Sequence, residues 1–188
     1  MVAADSVAIG FDVGGSGIKA AAVDTTNGQL LSQRLRIKTP DPSTPSAVLD
    51  KICGLVRRVE AETKTSGTPV GVGIPAVVID GQTKTAANID QGWIDYPAEA
   101  AFSDALSRPV TVVNDADAAG VAEIRFGAGR DEHGVVLVLT LGTGVGSGLF
   151  VDGKLVPNTE LGHMEIRGRD AERRSAAAAR RTGEAGGC

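Results

Sequence analysis

Three glycines in four positions interrupt two apolar runs near the start of the chain, in the segment DVGGSGIK of residues 12–19. Glycine has no Cβ, so backbone N–H groups at such a turn can converge on a phosphate. Lys19 could bind the same phosphate, and Asp12 a hydrated cation. The spacing matches neither a dinucleotide-binding GxGxxG pattern nor a P-loop, and a strand follows the turn where a dinucleotide-binding motif needs a helix. A hairpin whose glycines only satisfy positive φ angles is the alternative interpretation.

A second glycine-rich turn lies in the segment TLGTGVGSG of residues 140–148. Its glycines recur at every second position, so one side of a hairpin carries no side chains, and Thr140, Thr143 and Ser147 offer hydroxyl donors. Each half of the chain thus opens with a strand, a glycine-rich turn and a second strand. Two such turns suggest two domains that hold one phosphate chain, as in the actin-like, sugar-kinase and heat-shock ATPase fold.

Asn114 and Asp115 stand where the predicted strand RPVTVVND gives way to a helix that begins ADAAG. Ligands of open α/β sheets gather at the carboxyl ends of strands and beside helix N-termini. A carboxylate there can accept the proton of a hydroxyl group during phosphoryl transfer. The alternative is that Asp115 only caps the helix, and Asp117 is a second candidate close by.

The elements that must position these residues follow from hydrophobic periodicity and turn signals. Residues 7–13, 17–24 and 29–39 are predicted strands, and residues 41–63 a helix that buries Val48, Ile52, Leu55, Val56 and Val59. A strand and loop at 68–80, a helix at 96–107, a strand at 108–115 and a helix at 116–129 complete the order βββαβαβα. A second half then begins with strands at 134–142 and 145–156 and an Asp152-Gly153 hairpin turn. The predicted domains are residues 1–126 and 127–188.

Composition narrows the class of protein. The chain has 188 residues with 42% hydrophobic content, enough for a sizeable core. Its formal net charge of −4 argues against nucleic acid or an anionic membrane as the main partner. The two cysteines, Cys53 and Cys188, do not suggest a disulfide framework. The absence of such a framework is typical of proteins in the reducing cytoplasm. No targeting signal or membrane-spanning segment is predicted.

The ordered motifs of the chain resemble those of the ROK family of sugar kinases and repressors. They are IGFDVGGSGIKAAAVD, VGVGIPAVV, VVNDADAAGVAE, TLGTGVGSGLFVDGKL and ELGHMEIRGR, while ANIDQGWIDYP and GHMEIRGRDAE resemble the polyphosphate glucokinase branch. The resemblance covers residues 7 to about 174. It implies an α/β fold of two ribonuclease-H-like domains, the second incomplete, and phosphoryl transfer from polyphosphate or ATP to the 6-hydroxyl of glucose.

The resemblance also implies roles for individual residues. Asp115 matches the catalytic base. The residues matching the sugar contacts are Asn88, Asn114, Glu160 and His163. The expected phosphate-binding residues are Gly14, Gly15, Ser16, Gly17, Lys19, Gly142, Thr143 and Gly144. Mg²⁺ is expected to neutralise the phosphates, with Asp12 as its candidate ligand.

Several features depart from the family pattern. A zinc cluster that many members carry is not expected, because only Cys188 remains of its ligands. The sequence predicts that the second domain is truncated, that the chain as given is inactive or nearly so, and that VVLVLTL keeps one face short of partners.

The full-length protein is expected to be a homodimer. A basic cluster could be a track for a polyanionic donor or an ordinary solvated surface; it comprises Arg167, Arg169, Arg173, Arg174, Arg180 and Arg181.

Two alternatives to a polyphosphate glucokinase stay open. An ATP-dependent ROK glucokinase or hexokinase would share the same motifs. An inactive fragment would follow from truncation. A repressor of the same family would need a DNA-binding domain ahead of residue 7, where the sequence has only six residues, so a repressor is not expected.

Overall fold

The computed structural model describes residues 6–86, 89–141 and 144–164, with only the backbone at His163. The chain divides into two compact units, residues 1–115 and 116–188, here called unit 1 and unit 2. None of the helices in the described part of the chain is long and apolar enough to cross a membrane.

Unit 1 is built on a five-stranded mixed sheet in the order β3-β2-β1-β4-β7. Strands β1 to β3 are antiparallel neighbours, whereas β4 pairs in parallel with both β1 and β7. The hairpin β5–β6 forms a separate two-stranded sheet. The strands are β1 (Val7–Val13), β2 (Ile18–Asp24), β3 (Leu35–Ile37), β4 (Val70–Ile74), β5 (Val78–Ile79), β6 (Gln82–Thr83) and β7 (Val110–Asn114).

Helix α1 (Pro45–Thr63) contributes a face of buried apolar side chains to the core of unit 1. Thr44 caps it, since its side chain accepts a hydrogen bond from the Ala47 amide at 3.3 Å. Lys64, in the left-handed conformation, ends it. The predicted buried face is confirmed at all five positions: Val48, Ile52, Leu55, Val56 and Val59.

A second helix, α2 (Ala98–Leu106), completes this core together with the single tryptophan of the chain. Trp93 is 0% exposed, and its ring lies edge-on to Tyr96 and Phe102 at centroid distances of 5.6 and 6.1 Å. Its indole N–H donates to the Ser43 carbonyl at 2.8 Å. The predicted order of strands and helices is confirmed through residue 126, with the β5–β6 hairpin added.

Unit 2 contains most of helix α3 (Asp115–Phe126) and a three-stranded antiparallel sheet in the order β10-β9-β8. Asp152 and Gly153, at φ 48° and 74°, form the predicted hairpin turn. A single-turn 3₁₀ helix spans Leu161–His163. The strands are β8 (Val135–Leu141), β9 (Val145–Val151) and β10 (Lys154–Val156).

The predicted domain boundary and the boundary between the two compact units lie on opposite sides of helix α3. The sequence predicts a domain boundary after residue 126, whereas the compact units divide between Asp115 and Ala116. Gly120 of α3 packs against Phe150 of β9, which is 1% exposed. The helix therefore belongs by its packing to unit 2.

Strand β8 alternates between exposed and half-buried side chains. The exposed side chains are apolar: Val135, Leu137, Leu139 and Leu141, at 46–73% exposure. This confirms, for the described residues, the expectation that the segment VVLVLTL keeps one face without partners.

Candidate functional site

The first glycine-rich turn joins β1 to β2, as predicted. The Gly14 amide donates to the Gly17 carbonyl at 3.0 Å, which closes a tight hairpin. Thr39 supports the turn from outside the hairpin, because its hydroxyl donates to the Gly14 carbonyl at 2.5 Å. Gly15 and Ser16 at the tip are exposed. The backbone at the tip is therefore fixed at its base and accessible at its end.

Close approach, not a left-handed backbone, explains glycine at positions 14 and 17. Among the described residues, the glycines with positive φ lie elsewhere, at Gly28, Gly67, Gly81, Gly134 and Gly153. A Cβ on Gly17 would lie 3.0 Å from Nε of Arg36 and 3.2 Å from the Ile37 carbonyl oxygen. A Cβ on Gly14 would lie 3.3 Å from the Gly17 carbonyl oxygen. The positive-φ interpretation of these two glycines is therefore wrong.

Asp12 and Lys19 face each other across the hairpin. They are paired in the β1–β2 register, and the Lys19 ammonium lies 2.7 Å from the Asp12 carboxylate. Both side chains are about half exposed. Arg36 is opposite Lys19 on the next strand. The structure thus places one carboxylate and two cations in a row beside the turn.

Asn114 and Asp115 lie at the carboxyl end of β7, next to the carboxyl end of β4. Asn114 pairs with Ile74 in the parallel register and is only 5% exposed. Its side-chain amide donates to the Ala76 carbonyl at 3.2 Å, which ties the loop after β4 to the end of β7. Asp115 follows as the first residue of α3 and is half-buried. The predicted position at a strand end and a helix start is confirmed.

The glycines of β9 allow helix α3 to approach the strand closely. A Cβ on Gly146 would lie 2.7 Å from Cβ of Ala116, and one on Gly148 would lie 3.3 Å from the Ala116 carbonyl oxygen. Gly146 and Gly148 therefore face the start of α3. Gly144 precedes β9 and is half-buried. The alternating glycines beyond Gly144 serve the packing of helix on strand.

Two buried polar side chains hold the segment that carries Glu160. Asp117, 3% exposed, accepts a hydrogen bond from the Asn158 amide at 2.8 Å. The hydroxyl of Ser147, also 3% exposed, donates to the Thr159 carbonyl and accepts from the Leu161 amide at 3.0 Å. Glu160 lies between these anchored residues, immediately before the 3₁₀ helix.

Burial raises the pKa of Asp117, and the hydrogen bond from the Asn158 amide opposes that shift. From the sequence, Asp117 is only an alternative to Asp115, and Ser147 only a possible hydroxyl donor. Their role in holding residues 158–161 depends on contacts across 41 and 14 residues of chain, which no local motif indicates.

Other candidate residues lie outside the described residues. They are Asn88, Gly142, Thr143, the side chain of His163 and the arginines from Arg167 to Arg181. Within unit 1 the structure brings together Asp12, Gly14–Gly17 and Lys19, and separately joins Asn114 to Asp115. Within unit 2 it fixes the backbone on both sides of Glu160.

A candidate metal ligand is present at Asp12, but it is a single carboxylate. The described residues contain no group of three or more histidine, cysteine, aspartate or glutamate side chains that could hold an ion by themselves. Mg²⁺ commonly binds through one or two carboxylates, with water and substrate phosphates as its other ligands. Asp12 beside the glycine turn fits that pattern.

Comparisons with known proteins connect this geometry to a family. The polyphosphate glucokinase of Mycobacterium leprae (strain TN) is 46% identical over 168 residues, which are 89% of this chain and 50% of that protein. The chain thus spans half the length of this curated relative.

Two solved structures share the fold. The inorganic polyphosphate/ATP-glucomannokinase of Arthrobacter sp. strain KM superposes with a TM-score of 0.90 at 47% identity, covering 96% of this chain and 72% of that chain. A ROK family glucokinase from Streptomyces griseus, in complex with glucose and AMPPNP, has a TM-score of 0.80 at 33% identity, covering 92% and 58%. Both likenesses confirm the expected α/β fold of the actin-like ATPases.

The family model described as "ROK family" matches residues 8–188, which include the glycine turn of unit 1, the Asn114-Asp115 pair and the segment around Glu160. Nearly the whole sequence lies within that match, and the chain belongs to the ROK family.

Proposed function

We propose that this protein is a polyphosphate-dependent glucokinase, which transfers a phosphoryl group from polyphosphate to the 6-hydroxyl of glucose. The observation that carries the proposal is Asp115, placed at the carboxyl end of a parallel strand and directly after the buried Asn114. The similarity to polyphosphate glucokinase and to polyphosphate/ATP-glucomannokinase supports the choice of substrates.

Asp115 acts in this proposal as the base that accepts the proton of the glucose 6-hydroxyl. Phosphoryl transfer requires little covalent chemistry from the protein, so orientation and charge stabilisation supply most of the catalysis. Asn88, Asn114, Glu160 and His163 bind the sugar hydroxyls. The anchoring of residues 158–161 by Asp117 and Ser147 supports a fixed position for Glu160. Hydrogen bonds from fixed side chains to the sugar hydroxyls give such sites their selectivity.

The phosphates of the donor bind at the two glycine-rich turns. The residues proposed for this are Gly14, Gly15, Ser16, Gly17, Lys19, Gly142, Thr143 and Gly144. The exposed tip at Gly15 and Ser16 and the nearby Lys19 ammonium support the first set. Mg²⁺, held by Asp12 together with donor phosphates, would neutralise the charge that develops during transfer.

ATP is the second candidate donor. The Streptomyces griseus glucokinase, solved with glucose and AMPPNP, favours it at 33% identity, and the Arthrobacter relative is named for both donors. The full-length protein is proposed to act in the cytoplasm as a homodimer.

A coupled assay for glucose 6-phosphate on the full-length protein, with Mg²⁺ and either polyphosphate or ATP, tests the proposal. Replacing Asp115 by Asn keeps the shape but removes the proton acceptor, so kcat should fall by about 10²- to 10⁴-fold. The KM for glucose should change far less. The matched control is Asp104→Asn, an equal change of charge at an exposed position of α2.

No product from the full-length protein with either donor would refute the kinase proposal. A fall in kcat of less than about tenfold in Asp115→Asn would show that Asp115 caps α3 or binds sugar and does not accept the proton.

A further inference from the structure

Three cations lie along the edge strand β3 and the residues that flank it. Arg36 lies in β3, and Arg34 and Lys38 stand directly before and after the strand. All three are exposed, and the intervening Leu35 and Ile37 are half-buried. Alternate side chains of an extended segment point to the same face. These three residues, here called the basic stripe, therefore extend over about 13 Å of one face.

The middle residue of the basic stripe contacts the glycine turn. Arg36 pairs with Lys19 in the β2–β3 register, and its guanidinium lies against Gly17, where a Cβ would be 3.0 Å from Nε. The stripe is thus continuous with the backbone that is proposed to bind phosphate.

The basic stripe takes part in none of the ion pairs found among the described residues. Within the described residues, the ion pairs are Lys19–Asp12, Lys84–Asp95 and Arg108–Glu60, so none involves Arg34, Arg36 or Lys38. The whole chain nevertheless carries a formal charge of −4. Like charges on one face repel each other, and an anionic ligand along that face removes the repulsion.

Edge protection and nucleic-acid binding fit this geometry less well. Charged residues on an edge strand can protect it from pairing with another chain, but that function does not require a guanidinium packed against the turn. A nucleic acid is also a polyanion. The stripe, however, has no interleaved aromatic side chain on which bases could stack.

We propose that the basic stripe binds the inorganic polyphosphate chain beyond the phosphates held at the glycine turn. The inference rests on the proposed function for the role of that turn. A polyphosphate chain carries charge along its whole length and can follow the stripe away from the turn. ATP ends in a nucleoside and has no further phosphates to place there. The stripe therefore distinguishes a polymeric donor from a nucleotide.

Direct binding of medium-chain polyphosphate to the chain, measured by titration calorimetry at several salt concentrations, tests the proposal. The test variant is Arg34→Gln/Lys38→Gln, which leaves Arg36 at the turn in place. The matched control is Arg57→Gln/Arg58→Gln, which removes two charges from exposed positions of α1. Polyphosphate affinity should fall about tenfold in the test variant. If each lost contact counts as it does on a single-stranded nucleic acid, about 0.7, the slope of log K against log salt should decrease by about 1.4. The control should match the wild type.

Kinetics then separate this proposal from the proposed function. In active protein, the test variant should raise the KM for polyphosphate about tenfold and leave the KM for ATP unchanged. If the full-length wild type makes no glucose 6-phosphate but binds polyphosphate through the stripe, the kinase proposal fails and the stripe assignment stands. Equal affinities of test and control variants would overturn the assignment. If the test variant newly self-associates while its affinity for polyphosphate is unchanged, the stripe protects the edge strand. If single-stranded DNA at an equal concentration of charge displaces polyphosphate, the stripe binds polyanions in general.

Discussion

Two glycines in helix interiors should respond in opposite ways to the same substitution. Gly54 lies within α1 and Gly120 within α3. In a helix interior, alanine is favoured over glycine by about 1 kcal/mol. A Cβ on Gly54 would meet nothing within 4 Å, whereas one on Gly120 would lie 2.7 and 2.9 Å from two ring carbons of Phe150.

The contacts at Gly120 decide whether the substitution by alanine stabilises or destabilises unit 2. Phe150 is 1% exposed, so its ring has little room to move. Overpacking a well-filled core costs about 1–3 kcal/mol, and a contact with two ring atoms of a buried side chain belongs to the upper part of that range. After the gain in helix propensity, Gly120→Ala should destabilise unit 2 by about 1–2 kcal/mol. Gly54→Ala should stabilise unit 1 by about 0.5–1 kcal/mol.

Native-state hydrogen exchange is the suitable assay, because it gives a local free energy of opening for each segment. Gly120→Ala should lower protection in α3 and β9, and Gly54→Ala should raise it in α1. Adding Phe150→Leu to Gly120→Ala should recover about 1 kcal/mol relative to the sum of the single changes, since it removes the ring carbons that clash. If Gly120→Ala stabilised α3 as much as Gly54→Ala stabilises α1, the close packing of Gly120 on the Phe150 ring would be refuted.

Two further predictions concern charge. Arg108→Ala should lower the stability of unit 1 by about 1–3 kcal/mol in calorimetry, because it leaves the half-buried Glu60 carboxylate without its cation. Glu60→Gln in the same chain should restore part of the loss, and additive effects would contradict a direct pair. Burial raises the pKa of Asp117, so the folded state holds that proton more tightly and unit 2 should lose stability as pH rises from about 4. Hydrogen bonds from the hydroxyl and then the amide of Thr26 lower the pKa of Asp24, so its contribution to unit 1 should be lost as pH falls below about 4. Urea unfolding, followed by far-ultraviolet circular dichroism between about pH 3 and 7, measures how stability depends on pH. Asp117→Asn and Asp24→Asn should remove pH dependences of opposite sign, and equal signs would refute the two directions of pKa shift.

Elements with a strong local signal could be predicted from the sequence. The apolar face of α1, the Asp152-Gly153 turn and the strand-turn-strand at residues 7–24 all match the structure. Each depends on side-chain periodicity or on backbone angles that few residues adopt. The position of Asn114 and Asp115 at a strand end is predictable for the same reason.

The hairpin β5–β6 replaces the loop that the sequence predicts after β4, although Asp80 and Gly81 carry a turn signal. Its strands have only two residues each, too few for a periodic pattern. It is stabilised by distant groups: the Thr83 amide donates to the Tyr96 carbonyl at 3.0 Å, and the Glu99 amide to the Gly81 carbonyl at 3.0 Å. Such tertiary contacts are not visible in a single stretch of sequence.

The sequence predicts where the residues of the candidate site lie, but not the tertiary contacts that hold them in place. Asp12, Lys19 and the turn glycines stand close together in the chain, so their proximity follows from one hairpin. The approach of Arg36 to Gly17 depends on the β2–β3 register, and the hold of Asp117 on Asn158 depends on the packing of α3. The sequence pattern predicts that the alternating glycines leave one side of the hairpin without side chains, but it does not show that Gly146 and Gly148 receive Ala116 there.

The position of Trp93 makes the two units optically distinguishable. It is the single tryptophan in the chain, and Tyr96, against which it packs, is the single tyrosine. Both belong to unit 1, where the indole ring is fully enclosed. Intrinsic fluorescence and the near-ultraviolet dichroism of these chromophores therefore report on unit 1 and are silent for unit 2. An unfolding curve followed by selective excitation of the indole describes one half of the chain, and any transition seen by heat capacity but not by emission belongs to the other.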